Sequence, residues 1–156
     1  MLVQSRFTGV PQRSRRCKGA TRPTAPRYTS SVLQFVWICV GGAVGTGARY
    51  LVGIGLARAL GAKFPWGTLA VNVLGCLAMG LLLAPTSRMQ ALDPTVRLAL
   101  TTGVLGGFTT YSAYNHECLR FAQTGHLAAA AGYVALTLAV CFAAGVTGIA
   151  LARQLG

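Results

Sequence analysis

From residue 32 onward the chain runs through four long apolar stretches separated by short polar breaks. A helix rises 1.5 Å per residue and needs roughly 20 apolar residues to cross about 30 Å of hydrocarbon. The stretches extend from Val32 to Leu60, from Trp66 to Ala84, from Val96 to Gln123 and from His126 to Arg153. Gly61, Lys63 and Pro65 punctuate the first break, and the segment Pro85 to Pro94 forms a polar loop at the second. The pattern predicts an all-α integral membrane fold with four transmembrane helices. Four spans of this size cannot enclose an aqueous path alone, so a homodimer or heterodimer is expected.

Positions inside the spans sharpen this picture. In the first, Gly41-Gly42-Ala43-Val44-Gly45-Thr46-Gly47-Ala48 is a stripe of small residues. Gly41 and Gly45 are four apart, share a helix face and let a neighbouring backbone come close. Arg49 follows, and a cation near mid-span must snorkel, face water or find a partner. Asn72 lies between Val71 and Val73 in the second span. In the third, Gly103, Gly106 and Gly107 precede Phe108-Thr109-Thr110-Tyr111-Ser112-Ala113-Tyr114. Glycines followed by hydroxyl residues predict a break in that helix, and irregular backbone at membrane depth survives only when buried in protein or lining a cavity.

Composition agrees with lipid as the main solvent. The chain is 53% apolar and 10% charged, with only Asp93 and Glu117 acidic, whereas a soluble domain carries about 25% charged residues. The net charge of +12 would point to nucleic acid if it were spread over a folded surface. Seven of the fourteen cations instead precede the first span, in a segment rich in Arg, Ser, Thr and Pro that has no acid. Residues 1–31 therefore read as a disordered basic tail, a composition shared with transit peptides, and residues 32–156 as the membrane domain. No nucleic acid partner is expected, because nothing in the tail reads bases. Four spans return both termini to one side, where the tail, Arg88, Arg97 and Arg153 gather. With the tail counted, the positive-inside rule places that side in the cytoplasm of a cell membrane; without the tail, Arg88, Arg97 and Arg153 face Arg58, Lys63 and Arg120 across the membrane and either orientation is open. Cys17, Cys39, Cys76, Cys118 and Cys141 show no paired short spacing, so they read as small buried hydrophobes, with no disulfide framework or zinc site.

Catalytic signatures are missing: no Ser-His-acid set can be assembled in one leaflet, and His116 and Glu117 read as a charge pair at a helix end. No enzyme is predicted. The polar groups left inside the spans are donors. Asn72 offers two N–H groups, and Thr109, Thr110, Ser112 and Thr137 offer hydroxyls. Tyr133 and Thr137 are the buried polar candidates of the fourth span. Tyr111 and Tyr114 are three apart on one helix face, and an aromatic ring presents a positive edge to an anion. With no acid placed to attract a cation, the inventory favours passage of a small anion. The alternative is that each polar group simply bonds a neighbouring helix.

Three runs carry a more specific likeness: Gly41 to Tyr50, Gly67-Thr68-Leu69-Ala70-Val71-Asn72-Val73-Leu74-Gly75, and Gly103 to Ser112. In that order they resemble the motifs of the CrcB/Fluc fluoride channel family, and the likeness covers about residues 34–153. The resemblance implies a four-helix subunit paired antiparallel with an oppositely oriented subunit, as a dual-topology dimer with two fluoride pores. It implies a structural sodium ion at the dimer interface, held by backbone oxygens at Gly107 and Thr110. It carries a pore-lining role to Asn72, a polar-track hydroxyl to Ser112 and a fourth-helix tyrosine to Tyr133. Tyr111 and Tyr114 stand where the family has phenylalanine, and Ala113 where it has threonine. The function implied is passive efflux of cytoplasmic fluoride through a bacterial plasma membrane. The rival implied by the tyrosines is a non-conducting partner subunit of a heterodimer. A small multidrug transporter would need a carboxylate in the first span, and there is none.

Overall fold

The computed structural model describes residues 32–84 and 91–155; the basic tail and most of the expected polar loop lie outside them. Every regular element among the described residues is helical. Helix α1 covers Val32–Leu60 and α2 covers Trp66–Leu83. The third region is composite: α3 (Pro94–Leu98), a π-helical segment (Ala99–Leu105), α4 (Gly106–Phe108) and, after two extended residues, α5 (Tyr111–Gln123). Helix α6 covers Leu127–Leu155. Helices α1 and α6, at 29 residues each, are long and apolar enough to cross a bilayer, and α2 is a shorter apolar helix.

Local chemistry sets the ends. Gly61 takes φ +84° and Gly125 φ +80°, left-handed conformations that stop α1 and α5 at no Cβ cost. The Gly61 N–H reaches back to the Ala57 carbonyl at 3.0 Å. Pro65, which has no N–H to lose, immediately precedes α2. Asp93 caps α3 by accepting the Thr95 N–H at 2.7 Å. That bond holds the exposed carboxyl below its ordinary range, so the cap persists above the depressed pKa and is lost as pH falls through it.

The helices pack in two closely joined pairs: α2 runs along α6, and α1 runs along the π segment and α4. Glycine makes both contacts. A Cβ added at Gly41 would sit 2.6 Å from the Ala99 carbonyl oxygen, and one at Gly103 would sit 2.8 Å from that of Ile38. At Gly45 it would collide with the Val104 carbonyl, at Gly80 with that of Gly145, and at Gly148 with that of Leu77. The small-residue stripe thus does what its spacing predicts. Large apolar side chains such as Phe35, Trp37, Leu51 and Phe142 face outward, the opposite of a soluble core and suited to lipid or a second subunit. Cys39 is also exposed, and Cys76, Cys118 and Cys141 are half-buried. The expectation of uniformly buried cysteines is therefore corrected, because Cys39 falls on an uncovered face of α1.

Candidate functional site

The break in the third region organises the site. Thr109 (φ −80°, ψ 159°) and Thr110 (φ −152°, ψ 116°) are extended; the Thr109 N–H still donates to the Leu105 carbonyl at 3.0 Å, but the Thr109 carbonyl and the Thr110 N–H leave the helical ladder. At membrane depth such groups need other partners, and two side chains from distant parts of the chain, Asn72 and Arg49, supply them. Asn72 donates from Nδ2 to the Thr110 carbonyl at 3.0 Å and accepts the Thr110 N–H on Oδ1 at 2.8 Å. Its primary amide therefore pairs with one residue of broken helix much as a neighbouring strand would. Arg49 donates to the Thr109 carbonyl at 3.3 Å, which is the partner an intramembrane cation requires. Thr46 donates to the Gly107 carbonyl at 3.4 Å. Below the break, the Thr110 hydroxyl accepts the Ala113 N–H at 3.2 Å and so caps α5.

Two hollows flank this clamp, and Thr110 lines both. One, of about 760 Å³, is lined by Asn72, Tyr111, Tyr114 and Thr137 together with apolar residues of α2 and α6. The other, of about 680 Å³, is lined by Arg49, Thr68, Thr110, Ser112 and His116. Four of the expected pathway residues thus meet in the first hollow. Ser112 lies in the second, and its hydroxyl is 3.3 Å from that of Thr110. Tyr133 is buried between helices and completes a file of rings. Tyr111 and Tyr114 are 5.6 Å apart between centroids, Tyr114 and Tyr133 5.4 Å, and Tyr133 and Phe64 5.3 Å. Tyr111, at the open end of the file, is 77% exposed.

Hydrogen-bonding capacity remains in the first hollow. Asn72 has a second Nδ2–H beyond the one given to Thr110. The Thr137 hydroxyl is buried without a hydrogen bond of good geometry. Tyr133, one turn back on α6, is within reach of it but donates to Glu117 instead, at 2.9 Å.

That bond corrects two expectations. Glu117 is not half of a helix-end charge pair with His116. Its carboxylate accepts from Thr68 at 2.7 Å and from Tyr133 at 2.9 Å. The path is also not free of acids, since Glu117 touches one of its candidate residues. Adjacency to His116 suggests a charge pair, but the register of α5 turns Glu117 inward onto α2 and α6 instead. With two hydroxyls already bonded to it, the carboxylate tethers α2, α5 and α6 to one another. Thr68 was legible only as a member of a motif, and Arg49 as a cation in need of a partner that the sequence does not name; their contacts with the third region join residues 49 and 60 positions apart.

A hollow with a spare amide N–H and two tyrosine rings in its wall and the Thr137 hydroxyl buried behind it, next to one that carries an arginine, can accommodate a small anion that has shed water. The Gly107 and Thr110 carbonyls each accept one hydrogen bond and keep a second lone pair. These hard oxygens fit an alkali cation, provided a second subunit supplies the remaining ligands.

Comparisons with known proteins agree with this chemistry. Residues 36–149 match the family described as CrcB-like protein, Camphor Resistance (CrcB). A fluoride-specific ion channel FluC of Sorangium cellulosum is 46% identical over 122 residues, which covers 78% of this chain and 96% of the relative. Another FluC, from Anaeromyxobacter dehalogenans, is 45% identical over 118 residues, or 76% of this chain and 94% of the relative. One from Agrobacterium fabrum is 41% identical over 124 residues, covering 80% and 99%.

Proposed function

The chain belongs to the CrcB-like protein family, and on that premise we propose that it is a subunit of a fluoride-specific ion channel. It moves an ion and is not an enzyme. The observation that carries the reading is the hollow beside the clamped break, largely apolar but with Asn72 and Thr110 in its wall, in a chain whose relatives are named as fluoride channels. Fluoride is small and strongly hydrated, so a path selective for it must replace water with several N–H and O–H donors held in place. The spare Asn72 N–H, the Thr137 hydroxyl and the tyrosine edges are such groups, and Ser112 and Thr110 continue the series on the other side of the clamp.

The driving force needs no nucleotide. HF is a weak acid that crosses lipid uncharged and ionises in a near-neutral cytoplasm, which traps fluoride inside. An inside-negative potential then drives the anion outward at about 2.3 kcal/mol per charge per 100 mV. In this reading the composite third region counts as one span, for four in all, in a bacterial plasma membrane. Two oppositely oriented subunits pair through the exposed apolar faces. A sodium ion bound at Gly107 and Thr110 of both subunits would supply positive charge that holds the two breaks together. Expression of this chain in bacteria that lack a fluoride exporter should restore growth on fluoride. Growth no better than that of the vector control would overturn the proposal.

The rings give a finer test of the path. Tyr→Phe at position 111 or 114 keeps the positive ring edge, so flux should equal or exceed that of the wild type. Tyr→Ile keeps apolar bulk but loses the edge; if that edge attracts the anion about as strongly as it does a second ring, by about 0.5–1.5 kcal/mol, flux should fall roughly 2- to 10-fold. Fluoride-electrode measurements normalised to folded protein check this. Isoleucine and phenylalanine variants that both conduct at the wild-type rate would remove the rings from the path.

A further inference from the structure

Cys76 on α2 and Cys141 on α6 are far apart in sequence, yet both line the hollow that holds Asn72, Thr110, Tyr114 and Thr137. The two helices are in backbone contact there. A Cβ at Gly145, one turn beyond Cys141, would lie 3.8 Å from the Cys76 carbonyl oxygen. Four residues past Cys76, Gly80 admits the Gly145 carbonyl with no room for a side chain. This closeness sets both cysteines along one wall of the hollow, on adjoining turns of the two touching helices. Both are free and half-buried.

We propose that Cys76 and Cys141 form a two-coordinate site for a soft d10 metal ion, with divalent mercury as the ion that fits best, and that its occupation closes the fluoride path. Thiolate sulfur selects soft ions. No third His, Cys, Asp or Glu completes a cluster among the described residues, so zinc, which takes four ligands, does not fit. Charge decides among the soft ions. Silver(I) or copper(I) on two thiolates leaves a net negative charge in a largely apolar hollow, which is costly. Mercury(II) on two thiolates is neutral. The exchange balances: neutral HgCl2 crosses lipid, each thiol gives up a proton as a sulfur–mercury bond forms, and two chlorides leave with the two protons. Block of flux rests on the fluoride-channel reading above; the metal site itself does not.

The test uses the full chain with Cys17, Cys39 and Cys118 replaced by serine, treated with HgCl2 in liposomes. Intact mass should show one mercury per chain with two protons lost and no chloride retained. Fluoride efflux should stop and should return on addition of a dithiol. Glutathione should reverse the block only at about 10-fold or greater excess over what a single-thiol site needs, because the second sulfur rebinds within the molecule. Further replacement Cys76→Ser or Cys141→Ser should abolish the bridged adduct and the resistance to glutathione. Two mercury atoms per chain, each retaining chloride, would show independent thiols and overturn the site. A bridged adduct without loss of flux would leave the metal site standing and overturn its place in the path. If no fluoride flux exists to block, the mass measurement still decides the first claim.

Discussion

Asn72→Asp is expected to abolish fluoride efflux, by about a hundredfold or more, in a subunit that still folds. A carboxylate keeps the acceptor for the Thr110 N–H, which Asn72 now bonds at 2.8 Å. It loses the donor to the Thr110 carbonyl and the spare N–H that faces the hollow, and it adds a negative charge where the anion must pass. At an effective dielectric constant of about 20, two like charges roughly 4 Å apart repel by about 4 kcal/mol, and 2.7 kcal/mol already corresponds to a hundredfold. Electrostatics therefore outweighs the one hydrogen bond lost, worth about 1 kcal/mol. Size-exclusion profiles confirm folding, and electrode-recorded efflux reads the effect. Asn72→Ala separates the two roles of the residue: both Thr110 backbone groups lose their partner, at about 1–3 kcal/mol each, so thermal stability should fall more than in the aspartate variant.

Gly45→Val should prevent assembly altogether. Its Cβ would fall onto the Val104 carbonyl oxygen and lie 2.9 Å from the Phe108 nitrogen. Both obstacles are backbone, so relief requires α1 to move away from the π segment and α4. That separation would also pull Arg49 and Thr46 off the Thr109 and Gly107 carbonyls. Overpacking alone costs about 1–3 kcal/mol, and the stranded polar groups add to it, a sum comparable with the whole stability of many domains. The yield of monodisperse protein in detergent should collapse. Gly47→Ala, where an added Cβ meets nothing within 4 Å, should match the wild type or slightly exceed it.

These expectations depend on how differently parts of the molecule are written in the sequence. The helix bounds follow from apolar length and from glycine and proline at the breaks: α1 spans Val32–Leu60 as the pattern predicts. The break at Thr109–Thr110 was legible because glycines and hydroxyl residues leave no good helix there. The π segment was not, since Ala99–Leu105 has the composition of any apolar helix and only its hydrogen-bond register differs. The clamp was half legible. Arg49 and Asn72 stand out as polar groups that need partners, but the partners are backbone atoms, which carry no sequence signature. Glu117 was misplaced for a related reason: beside His116 it resembles a solvated helix end, and only the packing of α5 on α6 turns it toward Tyr133. The Cys76–Cys141 pair depends wholly on how α2 lies against α6.

The central claim is fluoride-selective passage, and it is tested most directly by loading liposomes with equal fluoride and chloride and reconstituting this chain alone. The potential is set by a potassium gradient with valinomycin, and both anions are followed with ion-specific electrodes. Rapid release of fluoride with chloride retained is the predicted result. Equal release of the two anions, or release of neither, would contradict it.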